Sequence, residues 1–175
     1  MRPSYKSGII TGIAVGLFAV SAFSFFNWLN TKNGWGIQPA TVRGISGLLT
    51  ILIQGIGIYF SMAGTKKLLN GVISYGQAFK AGFTVAIITA VITAFCGLIY
   101  CTIINPGYGD YMVNEAHKAM IASGKSSKQI AGELAGVRWE FSTGGQIIQA
   151  LVAQTAVGTV ISLIMAIFIK TPKIS

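Results

Sequence analysis

Uncharged, strongly apolar stretches recur four times along this chain, over residues 8–29, 44–64, 81–104 and 141–169. Charged residues bracket each one: Lys6 and Lys32, Arg43 and Lys66, Lys80 and Asp110, Glu140 and Lys170. A helix needs about 20 apolar residues to cross a hydrocarbon layer roughly 30 Å thick. A backbone in lipid has no water to bond, so such segments satisfy their own polar groups as helices. The pattern predicts an all-α fold, an integral membrane bundle of four transmembrane helices with spans near 8–29, 44–64, 81–104 and 145–169. Spans and loops fill the length, so residues 1–175 read as a single transmembrane domain.

Local signals mark the span ends. Ser74-Tyr75-Gly76-Gln77 fits a capping box at the start of the third helix. Asn105-Pro106-Gly107 stops that helix, because proline disfavours helical geometry in the residue before it. The segment 105–144 is too long to be structureless and reads as a helical loop, two short helices divided at Ser123-Gly124. The second opens on another capping box, Ser126-Ser127-Lys128-Gln129, and places Ile130, Leu134, Val137 and Phe141 along one stripe. Such a stripe fits a helix lying on the membrane or over the bundle, and equally a solvated hairpin with a packing face.

Only 10% of residues are charged, against about 25% in soluble domains. The net charge of +9 comes from bases beside the spans rather than on a soluble face, so they read as topology signals and contacts to anionic lipid, not to nucleic acid. With both termini cytoplasmic, the inside carries Arg2, Lys6, Lys66, Lys67, Lys80, Lys170 and Lys173, and the outside Lys32, Arg43, Lys118, Lys125, Lys128 and Arg138. Three of the outer bases sit inside a long loop, where charge counts less, which favours that orientation. The first apolar run exceeds the 7–15 residues usual in a signal peptide, so it reads as a retained span. Trp28, Trp35, Tyr5, Tyr75, Tyr100 and Tyr108 read as interfacial anchors. Cys96 and Cys101, five residues apart on one helix, point apart and read as packing residues rather than a disulfide or metal site.

Small residues recur at four-residue spacing: Gly8, Gly12 and Gly16; Gly82, Ala86, Ala90 and Ala94; Gly158, Ser162 and Ala166; and the shorter pair Gly57 and Ser61. That spacing forms smooth faces on which helix backbones approach closely, so these are the candidate helix-packing residues. The seams fit packing within the chain first, then contacts in a homo-oligomer, then a substrate path. Thr50, Gln54, Thr84, Thr89, Thr93, Gln146, Gln149 and Gln154 are too polar to face lipid and are expected inside or near the span ends. Tyr5-Lys6-Ser7-Gly8 and Phe79-Lys80-Ala81-Gly82 open the first and third spans alike, a faint echo of a duplicated hairpin.

No ionisable side chain lies well inside a span, which argues against proton coupling. The single histidine, His117, forms no defensible catalytic or metal-binding spacing with Glu115 or Glu133. No cofactor is implied, and an enzyme is not expected. The only acid–base groups for a lipid-directed enzyme would be Glu133, Glu140 and His117.

The basic Tyr5-Lys6 opening, the run Ile73-Ser74-Tyr75-Gly76-Gln77-Ala78-Phe79-Lys80-Ala81-Gly82-Phe83, and Tyr100 with Ile103-Ile104-Asn105-Pro106 carry a further signal. So does the turn Gly124, Ser126, Gln129-Ile130 before a last span ending in lysine. In these features and in its layout the chain resembles a bacterial family of small four-span membrane proteins catalogued only as a domain of unknown function. The long loop is less charged than that pattern. The resemblance implies a multi-pass protein of the bacterial cytoplasmic (inner) membrane and offers no functional residues to carry over. The expectation is a non-enzymatic accessory or scaffold protein acting on the lipid bilayer, a membrane-protein partner or a second copy of itself. The alternative is a transporter or channel for a small uncharged solute, with Gln54, Thr89, Thr93 and Gln149 facing its cavity.

Overall fold

The structure, a computed structural model, describes residues 2–33 and 39–171; Trp35 and Lys173 lie outside the described residues. The chain forms α1 (Pro3–Asn33), α2 (Pro39–Leu68), α3 (Tyr75–Ile99), α4 (Tyr108–Ala122), α5 (Ser127–Phe141) and α6 (Thr143–Ile169). A π-helical turn, Tyr100–Ile104, prolongs α3. The segments Pro3–Phe26, Thr41–Leu68, Tyr75–Ile104 and Thr143–Ile169 are long and apolar enough to cross a membrane, as in a multi-pass membrane protein.

Helix ends follow local chemistry. Pro3 and Pro39 open α1 and α2, where a missing N–H costs nothing. Ser74 and Ser126 cap α3 and α5, and Gln77 and Gln129 complete both capping boxes. Past α2 the chain reverses through Asn70 and Gly71, both at positive φ, and the Gly71 amide donates to Lys66 O at 3.0 Å. Only Ser142 separates α5 from α6; its hydroxyl accepts from the Gly145 amide, and a Cβ on Gly145 would collide with Trp139 O. Phe141 therefore ends α5 rather than opening the last span.

Helix α3 is the centre of the assembly, packing against α1, α2 and α6. On one face Gly8, Gly12 and Gly16 of α1 meet Ile88, Ile92 and Cys96 in ascending order, so the two helices run parallel. A Cβ on Gly12 would stand 2.8 Å from Ile92 Cδ1, and one on Gly16 2.5 Å from Cys96 Sγ. On another face Gly82 meets Ser162 and Ala86 meets Gly158, so α3 and α6 run antiparallel. Ala90, Ala94 and Ala166 are buried as well. Gly57 of α2 receives Thr11 of α1, and Ser61 Oγ donates to Ala81 O at 3.0 Å.

Outward faces carry large apolar side chains, among them Leu48, Leu52, Phe60, Val91, Phe95 and Phe168, as a lipid-facing surface does. Helices α4 and α5 pack chiefly on each other. The α5 stripe turns inward: Ile130 and Phe141 are buried and Leu134 and Val137 half-buried, with Phe141 and Val137 joining Tyr108 and Met112 of α4 in one cluster. The stripe is thus the packing face of a helical hairpin.

Seams this tight have no room for bulk, and overpacking typically costs about 1–3 kcal/mol. Gly12→Leu and Ala90→Leu are each expected to lower the thermal midpoint in detergent, whereas Leu48→Ala on the outer face changes it little. Unchanged midpoints for both seam variants would show that the seams do not hold the fold.

Candidate functional site

The π turn that ends α3 directs the chain into a pocket. Its i→i+5 bond runs from the Asn105 amide to Tyr100 O at 2.7 Å, and Asn105 Nδ2 donates to the Tyr100 hydroxyl at 3.1 Å. Pro106 and Gly107 reverse the chain, and the first turn of α4 folds back over the end of α3. Gly109 lets the start of α4 lie close against the end of α5, since a Cβ there would stand 2.7 Å from Phe141 O. Tyr100 and Tyr108, expected as interfacial anchors, are consequently turned inward, 5% and 6% exposed. With Phe23 of α1 they form a ring trio: Phe23 to Tyr108 is 5.7 Å, Tyr100 to Tyr108 5.4 Å and Phe23 to Tyr100 6.4 Å between centroids. Tyr5, Tyr75 and Trp28 remain exposed, as anchors would be.

Beside this trio, between α1, α3 and α6, lies a cavity of about 130 Å³. Its space comes from small residues, Gly16, Ala19, Gly97 and Ala150, placed where larger side chains would close it. Thr93 and Gln146 are its polar lining, and Cys96 and Cys101, both free thiols, also border it. Thr93 Oγ1 is buried without a hydrogen-bond partner, and Gln146 Nε2 is buried with the Tyr108 phenol beside it but in no hydrogen bond of good geometry. An unsatisfied buried polar group costs about 1–3 kcal/mol; Gln54 Oε1 and Thr89 Oγ1 are likewise unsatisfied, but only Thr93 and Gln146 line this cavity. Cys101 also borders a wider, open hollow of about 640 Å³ on the α4–α5 side, lined by Asp110, Asn114, Arg138 and Thr143.

Burial pushes the Tyr108 phenol up to about 12; the charge of Arg43 and the nearby Gln146 amide pull the other way. Arg43 itself bonds Glu140 Oε1 at 3.0 Å and lies 4.9 Å over the Phe141 ring, tying the start of α2 to the end of α5.

Of the four residues expected to face a solute path, Thr93 lines this cavity. Gln54 and Thr89 are fully buried elsewhere, Gln54 donating to Gln154 O at 3.0 Å, and Gln149 donates to Glu140 O at 3.0 Å. Gln146 stands out in the sequence as a polar span residue, but nothing there pairs it with Thr93 across two helices. Glu115, Glu133 and Glu140 are paired with Lys118, Lys125 and Arg43. Among the described residues no three His, Cys, Asp or Glu side chains are grouped to hold a metal ion.

The family model described as "Protein of unknown function (DUF4199)" matches residues 6–171. No curated protein and no solved structure matches the chain.

Removing either unsatisfied group relieves its burial cost, so Thr93→Val and Gln146→Leu are expected to raise the thermal midpoint of the purified protein. Each kcal/mol is worth about 2–4 °C in a chain of this size. A lower midpoint in both would mean the two groups already have partners. For Tyr108 the folded phenol ionises above the unfolded one, so its contribution is complete below pH 10.0 and is lost as pH rises toward about 12. Wild type should therefore lose stability relative to Tyr108→Phe across that window; parallel curves would contradict the buried phenol.

Proposed function

This chain belongs to the DUF4199 family, and we propose that it is a non-enzymatic membrane protein that binds a small uncharged molecule in the cavity beside Tyr100 and Tyr108. The observation carrying this reading is that Thr93 Oγ1 and Gln146 Nε2 are both buried without a well-formed hydrogen bond and both belong to side chains lining one cavity. A dry engineered cavity of about 150 Å³ holds benzene, so a space of about 130 Å³ suits a ligand near one ring in size. The amide calls for an acceptor on that ring, and the hydroxyl takes either role. A charged ligand would meet no counter-charge among the lining residues and would keep its desolvation cost. An amide and a hydroxyl position a ligand rather than move its protons, which makes the reading a binding one.

The small-residue faces are covered within the chain, so a membrane-protein partner or a second copy would meet the α4–α5 hairpin, where Ile121 and Trp139 are more than half exposed. The setting in this reading is the bacterial cytoplasmic membrane with both termini inside. Its support is charge: Arg2, Lys6, Lys66, Lys67, Lys80 and Lys170 belong to the end of the assembly where the termini lie, and all four acids belong to α4 and α5.

Cys96 and Cys101 provide a native reporter. Phenol, benzyl alcohol and benzamide, applied to the purified protein, are expected to slow alkylation of these thiols by N-ethylmaleimide in a saturable way. Gln146→Leu should weaken that protection about 2–10-fold, the worth of one hydrogen bond. Absence of saturable protection by any of the three, or equal protection in Gln146→Leu, would overturn the reading.

A further inference from the structure

At the opposite end of the assembly the start of α1, the end of α2 and the start of α3 enclose an open notch of about 310 Å³. Gly64 lets α1 begin close against α2, since a Cβ there would stand 3.0 Å from Pro3 Cβ. Arg2, Ser4, Tyr5, Gln77 and Lys80 supply its polar lining, and Leu68 and Leu69 form an exposed apolar rim. Among the described residues no carboxylate lines it: Asp110, Glu115, Glu133 and Glu140 all belong to α4 and α5. The ion pairs formed among the described residues all involve those helices, so neither Arg2 nor Lys80 is neutralised by one. Lys6, Lys66, Lys67 and Lys170 add positive charge at the same end. Like charges gathered without counter-charge hold a field that attracts an anion.

From the notch, α3 carries a stripe down its outer face. Thr84 lines the notch, and Ile87, Val91 and Phe95 follow at helical spacing, each exposed. A free phosphate would use the bases alone. A phospholipid would use the bases for its headgroup and this stripe for an acyl chain, and that continuity decides between the two. We infer that the notch is a binding site for an anionic glycerophospholipid, with Arg2 and Lys80 on the phosphate and Tyr5 and Gln77 as hydrogen-bonding neighbours. This site lies at the far end from the cavity and stands independently of what the cavity binds.

The test uses full-length protein, delipidated in detergent and titrated with phosphatidylglycerol or phosphatidylcholine, with bound lipid counted by native mass spectrometry. Preferential retention of phosphatidylglycerol is expected. The Arg2→Ala/Lys80→Ala double variant should lower it on the order of tenfold. The Lys118→Ala/Lys128→Ala double variant makes the same charge change at the other end and should leave retention unchanged. Thermal midpoints of the lipid-free proteins establish that both variants are folded. If Arg2→Ala/Lys80→Ala fails to fold, Lys80→Gln alone is expected to lower retention while keeping the midpoint. Equal loss in the two double variants would reduce the effect to net charge and overturn the site. Displacement of the lipid by millimolar inorganic phosphate would overturn the lipid in favour of a free anion. Equal retention of the two lipids would overturn the proposal outright.

Discussion

Close approach of helix backbones is the constraint on which this structure depends. In lipid, no expulsion of water drives helices together, so association rests on packing and on hydrogen bonds between helices. Helix α3 meets α1 and α6 on two faces, and in both contacts at least one side carries almost no bulk. Glycines of α1 accept Ile88, Ile92 and Cys96, while Gly82 and Ala86 let Ser162 and Gly158 come near. Polar ties then fix register where the backbones touch. Ser61 reaches Ala81 O, Gln54 reaches Gln154 O, and Lys66 reaches Ile169 O. Each is worth little alone; the first joins consecutive helices, and the other two join α2 to α6, far along the chain.

The same constraint produces the cavity. Gly16 sits where α1 crosses Cys96, and Ala19, Gly97 and Ala150 continue the lack of bulk beyond that crossing. Past Gly16 no large side chain fills the gap between α1, α3 and α6. The π turn then swings Tyr100 inward and brings Tyr108 onto it, placing aromatic rings against the space left by small residues. π-Helical segments often occur at functional sites, and here one supplies the wall of the candidate site.

Much of this was legible in the sequence because it is periodic or local. Uninterrupted apolar runs bounded by charge mark the long helices, and the two Ser-x-x-Gln boxes mark where α3 and α5 begin. The residues of the four-residue spacings are buried, each on the face that its spacing defines. Chain reversal defeated the reading elsewhere. Tyr100 and Tyr108 stand near span ends in sequence, as anchors do, and only the fold-back after Asn105 places them inside. Thr93 and Gln146 belong to different helices, and no spacing along one chain announces that they share a cavity. The α5 stripe was visible as a stripe, but its neighbour, α4, is a property of the folded hairpin.

Charge divides the molecule as sharply as packing unites it. Acids gather on α4 and α5 with their lysine partners and with Arg43 of α2, while bases at the other end have no Asp or Glu among them. In the proposed reading a small neutral ligand sits toward the hairpin end and an anionic lipid at the basic end. The most direct measurement is density in the cavity of protein purified with its native lipids, by cryo-electron microscopy or crystallography. The account predicts non-protein density larger than water within hydrogen-bond distance of both Thr93 Oγ1 and Gln146 Nε2. Density explained by water alone, or Thr93 and Gln146 satisfied by other protein groups with the cavity closed, would contradict it.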